Sequence, residues 1–277
     1  MQRVPKHKSV YILPNLFTTA SLFAGFLAIL SAAKGDAQSF EFSALAILFS
    51  ALMDALDGKV ARLTNTASEF GVQYDSLADL VAFGVAPAFM LHQYALQHFK
   101  MWGVAAAFLF TVCSALRLAR FNITTSTSNK RFFTGLPTPA AGCTLACIVL
   151  INPSLPEFIR NGMDGIALVA TAAIAFLMVS RMRYASFKEL GAFKAHPFRS
   201  MVFVIALFAV VVANPKVFGS LILFGYILSG LVHTFVVLPR LARSANRTHA
   251  AGSSPAAQQT PPAQEASPAQ EEEKEDS

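Results

Sequence analysis

Residues 54–79 read DALDGKVARLTNTASEFGVQYDSLAD. The stretch joins two long apolar runs and carries four aspartates: Asp54, Asp57, Asp75 and Asp79. An acid at the middle of a bilayer costs roughly 2.5–3.5 kcal/mol on insertion scales. Four of them are tolerable only at a membrane edge, in a wet cavity or around a cation. Asp54 and Asp57 stand at i, i+3 near the end of one apolar run, and Asp75 and Asp79 at i, i+4 near the start of the next. Each pair therefore shares one helix face. Between them, Thr64, Asn65, Thr66, Ser68 and Gly71 have the composition of a turn. Two adjacent antiparallel helices would aim the two carboxylate pairs at each other.

The flanking sequence supports this reading. Of the 277 residues 54% are hydrophobic and only 14% charged, whereas a soluble domain carries about a quarter charged residues. The mean hydropathy is +0.50. The apolar residues come in runs of about twenty, the length a helix needs to cross ~30 Å of hydrocarbon. The expected fold is all-α, a polytopic transmembrane helix bundle of about eight spans. They fall near 12–33, 42–62, 74–97, 101–121, 136–152, 164–182, 199–214 and 217–238. The alternating ten-residue segments of a membrane β-barrel are absent from the sequence. Arg3, Lys6 and Lys8 precede an apolar run that is longer than a signal peptide's and opens on Pro14-Asn15, so the first span is expected to stay uncleaved.

The net charge is +6. Its carriers fall between apolar runs, which points to anionic headgroups and topology and away from nucleic acid. With the N-terminus in the cytoplasm and eight spans, every Lys and Arg except Lys34, Lys100, Arg160 and Lys216 lies on the cytoplasmic side. Both termini and the four-aspartate stretch are then cytoplasmic, and a bacterial inner membrane is the expected location. The chain divides into a cytoplasmic N-terminal segment (1–11), a transmembrane catalytic domain (12–240) and a tail (245–277) of Pro, Ala, Gln and Glu, too polar to bury a core and expected to be disordered. Cys113, Cys143 and Cys147 lie in apolar stretches and read as core residues. His92, His98 and His233 have no partners at ligand spacing and read as packing or interface residues.

Carboxylates this close require a counter-ion. Oxygen ligands without His or Cys favour a hard divalent cation, Mg²⁺ or Mn²⁺, which characteristically pairs carboxylates with substrate phosphates. Lys59 and Arg62 suit the same anion, and the small Gly58 and Ala61 leave room for a ligand beside the acids. Small residues also serve tight helix packing, but packing alone leaves the acids unexplained.

The pattern Asp54-x2-Asp57-Gly58-x2-Ala61-Arg62-x8-Gly71-x3-Asp75-x3-Asp79 resembles the signature of the CDP-alcohol phosphotransferases. The resemblance implies a reaction in which an acceptor hydroxyl attacks the lipid-bearing phosphorus of a CDP-linked donor and CMP leaves. It implies that Asp54, Asp57, Asp75 and Asp79 bind the metal, with Asp79 also the catalytic base. It further implies that Gly58, Ala61 and Arg62 line the nucleotide site, that Gly71 permits close helix approach, and that Asn15 and Thr18 face the donor. Where relatives often have Asn or Arg three residues after Thr18, this chain has Ser21. Homodimers are usual in the family.

Two further stretches resemble the phosphatidylserine synthase branch. One is Ser114-Ala-Leu-Arg117-Leu-Ala-Arg120-Phe121-Asn122 followed by Phe133-Thr-Gly135-Leu136-Pro137-Thr138-Pro139-Ala140; the other is Val179-Ser180-Arg181-Met182-Arg183-Tyr184. The branch implies CDP-diacylglycerol and L-serine as substrates within membrane lipids. Arg117 or Arg120 could hold the serine carboxylate through a bidentate fork, Asn122 could accept from its ammonium, and Arg181 and Arg183 could bind acceptor or lipid phosphate. Glycerol 3-phosphate, inositol or inositol phosphate are alternative acceptors, served by the same arginines. A cation-coupled transporter would instead spread its acids through mid-membrane spans and show an inverted repeat; neither is present in the sequence.

Overall fold

The computed structural model describes residues 12–64, 68–127, 133–180 and 183–184, with isolated positions between 202 and 225. Seven helices lie in the continuous part: α1 (Ile12–Ala32), α2 (Ala37–Thr64), α3 (Glu69–Phe99), α4 (Met101–Thr127), α5 (Thr138–Ile151), α6 (Glu157–Arg160) and α7 (Met163–Val179). Helices α1 to α4 are long and apolar enough to cross a membrane, while α5 and α7 are shorter and apolar. The described chain is a helical membrane bundle. Its first six expected spans each correspond to a helix. Apart from those isolated positions, the spans expected at 199–214 and 217–238 lie outside the described residues, as do the segment 1–11, Arg181 and the tail from 245.

Two helices begin earlier than hydropathy suggests, because polar caps start them. At α2, the Ser39 N–H and hydroxyl donate to the Asp36 carboxylate at 2.9 and 2.8 Å. These bonds hold the Asp36 carboxyl below its ordinary range. At α3, the Ser68 hydroxyl accepts from the Gly71 N–H at 3.0 Å, the arrangement of an N-cap. Gly71, expected in the linker, therefore lies in the first turn of α3.

Among the described residues one element departs from the all-α expectation. Strands β1 (Phe133–Thr134) and β2 (Arg183–Tyr184) pair antiparallel, Phe133 with Tyr184 and Thr134 with Arg183. This short ladder joins the two branch-specific stretches that lie far apart in sequence.

Lipid tails are as apolar as side chains, so helices associate in a bilayer through close packing and interhelical hydrogen bonds. The α1–α2 hairpin uses serines: Ser21 and Ser50 share a 2.7 Å bond between hydroxyls, and Ser43 donates to the Ala28 carbonyl at 2.8 Å. Helix α5 is buried continuously from Ala141 to Leu150, as expected for a helix apolar on every side. The three cysteines form no disulfide and lie buried in the core.

Helix α3 is squeezed on two sides. A Cβ on Gly25 of α1 would lie 2.6 Å from the Ala82 Cα, and one on Gly142 of α5 would lie 2.9 Å from the Phe83 Cα. Here α3 is wound as a π-helix over Leu80–Val85, with the Ala86 N–H bonded to the Val81 carbonyl. Pro87 supplies the cause, since it has no N–H and its ring crowds the carbonyl of Phe83, four residues back. π-turns inside helices are frequent at functional sites.

Gly142→Ala should lower the thermal unfolding temperature of the purified protein in detergent, by an overpacking cost of about 1–3 kcal/mol. Gly165 of α7 has nothing within 4 Å of the added carbon, so Gly165→Ala should be neutral or stabilising. Equal melting temperatures for the two variants would show that the α3–α5 contact is not tight.

Candidate functional site

The end of α2 and the first turns of α3 form one wall of the site. Carboxylate oxygens of Asp54, Asp75 and Asp79 all lie within 4.8 Å of one another, and Asp79 is buried. At that separation, and at an effective dielectric of about 20, each ionised pair repels by roughly 3 kcal/mol. Three such pairs rival the whole stability of an ordinary domain, about 5–15 kcal/mol. A donor set of three hard oxygens fits a divalent cation such as Mg²⁺ or Mn²⁺.

Asp57 is brought to the same region but is engaged differently. It is buried, and it accepts a hydrogen bond from the Thr18 hydroxyl of α1. The i, i+3 spacing placed it on the face of Asp54, yet α1 packs close enough to claim one of its oxygens. Helix α1 meets α3 in the same way: Thr19 and Tyr74 share a 2.9 Å hydroxyl bond, and Thr19 also donates to the Asn15 carbonyl at 2.6 Å. The Asn15 side-chain oxygen lies 3.7 Å from where a Gly71 Cβ would stand. Gly71 thus makes room for Asn15 and its own capping serine, whereas the tight helix contacts are at Gly25 and Gly142. Ser21 is buried and bonded to Ser50. Gly58 is exposed and Ala61 half-buried; the backbone of Arg62 belongs to α2, while its side chain lies outside the described residues.

The basic residues separate into different environments. Arg117 of α4 comes to the aspartates: its guanidinium exerts its charge on Asp79, and its Nη1 donates to the Thr138 hydroxyl at 2.9 Å. Arg120 is exposed, with Nη1 donating to the Val179 carbonyl at the end of α7 at 3.2 Å, a common way of satisfying a helix C-terminus. Asn122 binds α3, its Nδ2 donating to Gln73 Oε1 at 3.2 Å and to the Ser76 hydroxyl at 3.0 Å. Arg183 contributes its backbone to the ladder with β1, and its side chain lies outside the described residues.

Sequence reasoning assigned no role to Thr138, Tyr74 or Ser76, all of which the fold brings to this region. Thr138 carried a signal, since it is a lone hydroxyl between two prolines, but its partner is 21 residues away. Of the histidines, His98 at the far end of α3 pairs with Asp164 of α7 at 3.4 Å.

The sequence profile of the CDP-alcohol phosphatidyltransferases matches residues 11–177. The chain is 34% identical over 239 residues to the CDP-diacylglycerol–serine O-phosphatidyltransferase of Helicobacter pylori, covering 86% of this chain and 98% of that protein. It is 33% identical over 177 residues to the Bacillus subtilis protein of the same name, covering 64% of this chain and 92% of the relative. With the Methanocaldococcus jannaschii protein of that name it shares 36% identity over 179 residues, covering 64% and 75%. The profile spans α1 to α7 and takes in the converging aspartates, and on that ground the chain belongs to the CDP-alcohol phosphatidyltransferase family.

Proposed function

We propose that the protein transfers the phosphatidyl group of CDP-diacylglycerol to L-serine, giving phosphatidylserine and CMP. The observation that carries this reading is the convergence of Asp54, Asp75 and Asp79, in a chain whose relatives named for that reaction align over most of its length. In the transfer, the serine hydroxyl oxygen forms a bond to the phosphorus bearing the diacylglycerol. The bond from that phosphorus to the CMP oxygen breaks, and CMP leaves with the electron pair.

Asp54, Asp57, Asp75 and Asp79 would hold Mg²⁺ or Mn²⁺. Such an ion, when bound, offsets the negative charge of the donor's diphosphate. Thr18 holds Asp57 through its hydroxyl, so its part in donor binding runs through that acid. Asn15, Gly58, Ala61, Arg62 and Gly71 form the nucleotide end of the site. Asp79, buried and within the field of the Arg117 charge, takes the proton of the attacking hydroxyl. Arg117 binds the serine carboxylate, and Arg120, Asn122, Arg181 and Arg183 are further acceptor or lipid-phosphate contacts.

The transmembrane catalytic unit is residues 12–240 in eight spans, flanked by 1–11 and the tail 245–277. It is a homodimer in a bacterial inner membrane, with the site and both termini facing the cytoplasm. The distribution of Lys and Arg supports that orientation.

Purified protein given CDP-diacylglycerol, Mn²⁺ or Mg²⁺ and L-serine should release CMP. Silence with every alcohol would refute the enzyme, and release with glycerol 3-phosphate or inositol but not serine would refute the acceptor. Asp79→Asn should keep CDP-diacylglycerol binding while losing roughly 100- to 10,000-fold in turnover, the usual weight of a general base; undiminished turnover would remove Asp79 from that role. For topology, cysteines replacing Arg160 or Lys216 should react with an impermeant maleimide added outside intact cells, and one replacing Lys59 should not. Labelling of the Lys59 position from outside would invert the orientation.

A further inference from the structure

Thr138 has no part in the mechanism above, yet its surroundings are unusually determined. It is 0% exposed, and a buried hydroxyl is costly unless hydrogen-bonded. The bond it makes is to the Arg117 guanidinium. Its backbone is fixed from several directions. Thr138 opens α5 between Pro137 and Pro139, whose rings restrict the backbone dihedrals around it. Two residues earlier, the fully buried Leu136 donates its N–H to the Leu177 carbonyl at 3.2 Å. Gly135 before it has φ +84, and a Cβ there would run into the Met178 carbonyl. The end of α7 and the start of α5 therefore fix the Thr138 backbone independently of Arg117. Arg117 has the longer side chain, with about 2 kcal/mol of rotamer entropy to lose on being held. The charge of the same guanidinium also acts on Asp79.

We infer that Thr138 is a positioning residue for the acceptor side of the site, its hydroxyl holding the Arg117 guanidinium where acceptor and Asp79 meet. The inference rests on the phosphatidyl-transfer reading above. A valine fills the same volume at residue 138, so only the hydroxyl's bond to Arg117 separates the two side chains.

The test uses the full-length enzyme in detergent, with Thr138→Val and Thr138→Ser. Losing a hydrogen bond to a charged group should raise the KM for serine roughly 10- to 100-fold in the valine variant. The KM for CDP-diacylglycerol should move much less, and the serine variant should return both toward those of the unaltered enzyme. A valine variant that loses kcat with the KM for serine unmoved, or a serine variant no better than valine, would overturn the inference. A second arm needs no substrate. The shifts in thermal unfolding caused by Thr138→Val and Arg117→Met should be non-additive when combined, and additivity would show that the hydroxyl does not hold the guanidinium. If the unaltered enzyme uses another alcohol, the serine reading fails, and the KM for that alcohol takes the place of serine's in the comparison.

Discussion

Mutual repulsion among Asp54, Asp75 and Asp79 is the constraint to which the rest of the structure answers. Their oxygens lie within 4.8 Å of one another at the junction of two apolar helices. Helices in a bilayer gain little from the hydrophobic effect when they associate. Contact and hydrogen bonding must therefore keep the acids together. The contact is supplied where Gly25 meets Ala82 and Gly142 meets Phe83, immediately after Asp79 in α3. A side chain at either glycine would push α3 outward and carry Asp79 with it.

A frame of polar bonds from neighbouring helices surrounds the cluster. Thr18 of α1 ties down Asp57, Asn122 of α4 grips Gln73 and Ser76 on α3, and Arg117 joins α4 to the start of α5. Arg120 and the β1–β2 ladder fasten the end of α7 to the same region. A phosphoryl transfer gains most of its rate from positioning and electrostatics, so a site of this kind depends on such a frame. The second π-segment of α3, His92–Leu96, lies at the other end of the helix, and the structure gives no comparable local cause for it.

Much of this was legible in the sequence. The six described helices longer than one turn were expected from the apolar runs, and the four acids from their spacing. Where expectation and structure differ, local capping or packing explains the difference. Helices α2 and α3 begin early because Asp36 and Ser68 cap them with polar residues that a hydropathy window penalises. The π-turn after Asp79 followed from Pro87 only once its neighbours were in place. Thr138 could not be read as Arg117's partner, because a spacing of 21 residues across a turn carries no periodic signal.

By itself the sequence determined the membrane class, the helical periodicity and the placing of two acid pairs on two helix ends. These follow from local chemistry: apolar run length, i, i+3 and i, i+4 geometry, and the cost of charge in lipid. Only the tertiary structure decided how the four aspartates divide, with Asp54, Asp75 and Asp79 converging and Asp57 turned to Thr18. It also decided that Arg117 lies close enough for its charge to act on Asp79 and bonds Thr138 at the start of α5, while Arg120 bonds the Val179 carbonyl at the end of α7. The two arginines share a helix and a motif, and what separates them is which neighbouring helix each one meets, a property of packing that no single segment encodes.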